Sequence, residues 1–204
     1  GVRLAPKVML EGPYDNLTGR MRDGLRIAGL IPNVEPFTAL GFTQAGDGGG
    51  EILLGGVTNT TGDNAIVDWV LVELRNTTTP TTIVATRAAL VQRDGDVVAE
   101  DGVSPIAFLA PVGSYQVAVR HRNHLGAMTS APVALSGSTV NLDLTLASTA
   151  TFGTNARKDI SGVQTLWTGN VARDGQLLYT GAGNDRDPIL QAIGGVVPTN
   201  SITG

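Results

Sequence analysis

The sequence predicts an all-β protein: an Ig-like antiparallel β-sandwich over residues 1–148, followed by a small loop–helix appendage over 149–204. Three observations lead there. The 204 residues include 27 Gly and 23 Thr, types that favour turns and strands respectively. Apolar residues make up 42% and charged residues 16%, the reverse of a disordered chain. Segments of strand length also recur along the chain with turn residues between them.

Val2 to Leu10 alternates imperfectly and reads as a strand, with Pro6 marking an edge or a bulge. Glu11 to Asp15 is a turn. Asn16 to Leu30 carries a weak helical spacing broken by Gly19, Gly24 and Gly29, consistent with a loop holding one helical turn. Ile31 to Phe37 is an extended connector, and Gln44 to Gly50 a Gly-rich loop. The strongest strand is Ala65 to Arg75. Strict alternation puts Val67, Trp69 and Leu71 on one face and Ile66, Val70, Val72 and Leu74 on the other, so both faces should be covered. Thr81 to Gln92 is the next strand, and Asp94-Gly95 a tight hairpin turn into Asp96 to Ala99. Val103 to Leu109, Ser114 to Arg122, Ala131 to Leu135 and Thr139 to Leu146 complete the set. In the tail, Asp187 should cap a short helix with Pro188 at its first position. Ile189, Leu190 and Ile193 should face inward, and Gly194-Gly195 should end the helix.

Composition narrows the function. Net charge is −4, and 2 Lys and 12 Arg are scattered without a basic stripe, which argues against nucleic acid. No apolar run approaches the roughly 18 residues of a membrane span. The absence of Cys removes disulfides, thiolate zinc sites and cysteine catalysis. Gly1 to Leu4 reads as a strand start rather than a signal peptide, so an exported protein would be in its mature form.

Two blocks carry a resemblance. The first runs from KVMLEGPYD through DNAIVDWVLVELR and RAALVQRDGDVV to GSYQVAVRHRNHLGAMT. The second is TFGTNARKD…LWTGNVARDG..LYTGAGNDRDPIL. The first resembles a β-sandwich module of large secreted surface proteins of Bacteroidota, cargo-like for the type IX secretion route. The second resembles the segment that follows that module there, and is similar to a degenerate dockerin-type calcium loop. The resemblance implies a secreted, surface-associated, β-rich protein at an extracellular or cell-surface location.

Calcium is therefore the candidate cofactor. Loops of that kind place oxygen ligands at alternate positions, with Gly sixth and a carboxylate closing the site. Asn170 could be first, Asp174 fifth, Gly175 sixth, and Gln176 could offer its carbonyl, with Asp185 or Asp187 closing the site. Two departures count against it: Ala172 brings no side-chain oxygen to the third position, and Asn170 to Asp187 exceeds a 12-residue loop. A turn of Asn, Asp and Gly without metal is the alternative.

His121 and His124 are the only histidines. His121 continues the Tyr115, Val117, Val119 face and caps the core, while His124 lies in a turn, so their expected role is structural. Asp68 interrupts the most apolar strand and should pair with Arg120 or Arg122. Glu73 points to the opposite face, which excludes a close glycosidase pair with Asp68. Gly46 to Gly50 lacks the Lys-Ser/Thr ending of a phosphate loop. Asn16, Asn59 and Asn76 each open an Asn-x-Thr triplet and are candidate glycan attachment points.

With no nucleophile–base–orienter set in view, the sequence does not read as an enzyme. The expected function is a structural one: a subunit of an extracellular fibre or filament that binds copies of itself head to tail. The alternative is an adhesin or carbohydrate-binding module of a larger exported protein, with or without calcium, for which Trp167 and Tyr179 are the candidate stacking platforms.

Overall fold

The computed structural model describes residues 1–192. The expected helix end at Ile193 and Gly194-Gly195 lies outside them. In chain order the elements are β1 (Val2–Lys7), β2 (Met9–Leu10), β3 (Tyr14–Asp15), β4 (Arg20–Met21) and a one-turn helix, α1 (Gly24–Ile27). Then come β5 (Ile66–Arg75), β6 (Ile83–Gln92), β7 (Val97–Val98), β8 (Ile106–Phe108), β9 (Gly113–Arg120) and β10 (Ala127–Met128). β11 (Val133–Leu135), β12 (Thr139–Asp143), β13 (Lys158–Ile160), β14 (Val163–Leu166) and α2 (Arg186–Ala192) follow. The protein is all-β, as its composition predicts, and among the described residues no barrel closes.

The main sheet has the order β10-β9-β5-β6-β7, with β11 pairing further along β9. A three-stranded sheet, β12-β1-β8, forms the other side of the sandwich, and β13-β14-β2 and β3-β4 are separate small sheets. Two pairings, β1 with β12 and β2 with β14, are parallel. They join segments far apart in sequence, where no hairpin imposes an antiparallel return. Pro6 lies in β1 beyond Leu4, the last residue paired to β8, so its missing N–H interrupts no ladder on that side.

β5 is buried from Ile66 to Leu74. Strict alternation fails once. The β5–β6 register slips between Ile66 and Asp68, a bulge at Val67 that reverses the faces before it. Val67 therefore joins Val70, Val72 and Leu74 in the principal core with Val2, Leu4, Ile106, Phe108, Val117 and Leu166. Ile66 joins Trp69 and Leu71 on the opposite face.

That opposite face is covered by an irregular segment rather than by a sheet. Phe37 and Phe42 pack edge to face, 5.2 Å between centroids, against Trp69, Leu71 and Leu90. Two buried carboxylates hold this cover in place. Glu35 accepts the N–H groups of Phe37, Thr38 and Gly50. Glu51 accepts those of Gly49 and Ala88, the latter on β6. Burial pushes the Glu51 carboxyl up, and the neighbouring Glu35 adds to this, while the N–H bonds and Arg87 oppose it.

The C-terminal segment also differs from expectation. Residues 158–166 form a hairpin, β13–β14, whose second strand pairs with β2 and buries Leu166 in the principal core. α2 starts at Arg186, and Asn184 caps it: its Oδ1 accepts the Asp187 N–H, and its Nδ2 donates to Asp187 Oδ2. Ile189, expected inward, is half exposed. Among the described residues no helix is long and apolar enough to cross a membrane.

Candidate functional site

The most organised polar cluster spans β5 and the turn after β9. Asp68 points from β5 toward the end of β9, where Arg120 is the last strand residue. His121 Nε2 lies 3.1 Å from Asp68 Oδ2, and Arg122 donates to the same oxygen at 2.7 Å. The other oxygen, Oδ1, accepts the Trp69 N–H. Asp68 thus pairs with Arg122, one of its two expected partners. Arg120 instead approaches Glu73 Oε1 at 3.6 Å and stacks on Phe42, 4.6 Å from the ring centroid.

The two histidines form a chain whose tautomers are set by its ends. The Asp68 carboxylate accepts, so His121 carries its proton on Nε2 and offers the Nδ1 lone pair. At the far end the Gly12 N–H donates to His124 Nε2 at 3.3 Å, so His124 carries its proton on Nδ1. That proton faces His121 Nδ1 at 3.0 Å and Asn123 Oδ1 at 2.8 Å. Every ring nitrogen has a hydrogen-bond partner. Burial, with His121 beside it, holds the His124 imidazole down to about 3; Asp68 opposes this more weakly.

Backbone bonds lock the same corner. Leu125 donates to the Trp167 carbonyl and Gly169 to that of Asn123. Glu11 accepts from Lys158 and from the Thr168 N–H. The 120s turn, the turn after β2 and the strand leaving β14 therefore meet at His124. Beside them lies a cavity of about 420 Å³ lined in part by Gly12, Arg22, Asp68, His121, Asn123, His124 and Thr168. Asn123 also lines a second cavity of about 440 Å³, with Pro36, Leu40, Arg122 and Arg173. Neither Arg22 nor Arg173 stands out in the sequence, because each shares a cavity with Asn123 only through the meeting of distant segments.

The five candidate calcium ligands are close in sequence, and each is engaged in hydrogen bonds of its own. Asp185 is buried, and its two oxygens accept the N–H groups of Ala172 and Leu178. Asp174 accepts the Gln176 N–H. Asp187 faces Asn184 and Arg186, which hold its carboxyl below the usual range. Asn170 Nδ2 donates to the Asp174 carbonyl, leaving its buried Oδ1 without a partner. Calcium needs six to eight oxygens; as placed, both Asp185 oxygens and one of Asp174 accept backbone N–H groups, and Asp187 is engaged by Asn184 and Arg186. Among the described residues no three His, Asp or Glu side chains gather as a metal site.

Asn16, Asn59 and Asn76 are all exposed. Asn76 Oδ1 accepts the Thr78 hydroxyl at 2.7 Å and the N–H groups of Thr78 and Thr79. Each candidate stacking platform carries a cation on its ring: Lys158 over Trp167 and Arg186 over Tyr179.

The sheet edges are unequal. β7 and β10 have two residues each, and the outer side of β6 is taken at Thr86 and Ala88 by Ala45 and Glu51. β12 pairs only with β1, and among the described residues it is the longest strand with an open side.

Comparison with protein-family models, curated proteins and solved structures finds no match for the chain.

Proposed function

We propose that this is a non-catalytic structural protein of the extracellular space or cell surface, a subunit that joins copies of itself head to tail into a fibre or filament. The observation that carries the reading is the open side of β12. β12 pairs with β1 along all five of its residues, and the backbone groups on its other side are a template for another strand, while the other edges are short or covered. A heterologous contact there propagates into a filament unless its rotation closes. Three buried carboxylates favour the same reading, since Glu35, Glu51 and Asp185 are engaged in holding backbone N–H groups. Glycans at Asn16, Asn59 and Asn76 would decorate such a fibre.

The test is electron microscopy of the purified protein beside a Thr139→Lys/Asn141→Lys variant, whose side chains are exposed on β12. Regular filaments from the parent and none from the variant, with unchanged thermal unfolding, are expected. Monodisperse monomers of the parent at high concentration would overturn the proposal.

A second reading, an adhesin or carbohydrate-binding module, is favoured by the paired cavities that meet at Asn123.

A further inference from the structure

We propose that the two cavities flanking Asn123 form one binding cleft for a carboxylate-bearing sugar chain, with Arg22 and Arg173 as its anion contacts. The proposal rests on the adhesin reading and gives it a ligand class. It does not depend on filament assembly.

The charge at this cleft runs against the rest of the chain. Its lining carries three arginines, Arg22, Arg122 and Arg173, against one carboxylate, Asp68, on a protein of net charge −4. Asp68 is buried and already committed to Arg122 and His121. Arg22 and Arg173 are exposed and make no ion pair among the described residues. Arg173 is also held at φ 60, a left-handed conformation uncommon for a residue with a side chain. The Arg120 guanidinium fixes it there by donating to the Arg173 carbonyl at 3.1 Å. The backbone is thus constrained at the residue that places a free cation on the rim.

Neutral groups between the arginines suit hydroxyls. Asn123 spends its side-chain oxygen on His124, and its side-chain Nδ2 makes no hydrogen bond among the described residues. The Thr168 hydroxyl lies in the same cavity, also without a partner among them. His124 stays neutral and so adds no charge. Each cavity falls within the roughly 300–1,000 Å³ of small-ligand sites. A chain of acidic sugars offers what this row can pair with: a carboxylate for each rim arginine and hydroxyls for the groups between. An acidic peptide would match the arginines but leave the Asn123 and Thr168 donors to its backbone.

The test is calorimetric titration of the whole protein with a galacturonate trimer, the neutral galactose trimer and a glutamate tripeptide. The galacturonate trimer should bind at least about tenfold more tightly than either of the others. Arg22→Gln and Arg173→Gln should each weaken it about tenfold, with unchanged unfolding temperature, while Arg3→Gln should leave it unchanged. Equal binding of the galactose trimer would overturn the charge preference while leaving a sugar site. Tighter binding of the tripeptide would assign the cleft to acidic peptide instead. No binding of any of the three would remove both this proposal and the adhesin reading.

Discussion

The Nδ1 atoms of His121 and His124 face each other 3.0 Å apart, with the rings nearly perpendicular at 79°. Such a contact is favourable only when one nitrogen carries a proton and the other does not. Asp68 at one end and the Gly12 N–H at the other impose that arrangement. The chain ties the central strand to the turn after β2 through side chains that are all buried.

Stability should therefore fall in acid through His124. Its folded value, about 3, lies below the ordinary 6.5. Between those values the unfolded chain binds the extra proton and the folded one does not. The contribution is fully present above pH 6.5 and is lost as pH falls toward 3, at up to about 1.4 kcal/mol per pH unit. Urea unfolding at a series of pH values should show this slope, and His124→Gln should flatten it. An unchanged slope in that variant would remove His124 as the cause.

Removing Asp68 should cost more than removing a surface acid. Asp68→Ala leaves Arg122 and His121 facing a buried gap, a loss of about 3 kcal/mol by comparison with other broken buried pairs. Urea unfolding at pH 7 measures it directly; a loss below about 1 kcal/mol would mean that water replaces the carboxylate.

The cover over Trp69 should be equally sensitive. A Cβ on Gly48 would overlap Thr86 Oγ1 and the Thr86 carbonyl. Gly48→Ala must push the 44–50 loop off β6, so Trp69 fluorescence should shift to the red and the unfolding temperature should fall. Glu35→Ala should act in the same direction, by about 2–3 kcal/mol, because three backbone N–H groups lose their acceptor.

Calcium should not change stability. Both Asp185 oxygens already accept backbone N–H groups, and binding the ion would forfeit those bonds. Scanning calorimetry with millimolar calcium and then with chelator should give superimposable transitions. A rise of several degrees with calcium would show that the loop rearranges around it.

The sequence alone determined the all-β class, because Thr-rich alternating segments and Gly turns are local signals. β5 was legible as a doubly covered strand for the same reason: its run of apolar residues has no polar face to expose. Periodicity could not show the bulge at Val67, since one unpaired residue reverses the faces and only pairing with β6 fixes where it falls. Nor could it show the β13–β14 hairpin, whose short strands carry little alternation and whose second strand is held by parallel pairing to β2. The polar cluster divides in the same way. That Asp68 needs a partner follows from its place in an apolar strand. That the partners are Arg122 and His121, and that Gly12, Asn123 and Thr168 gather beside them, was decided by tertiary structure alone. Those contacts join segments more than fifty residues apart, and a hydrogen bond acts over about 3 Å whatever the distance along the chain.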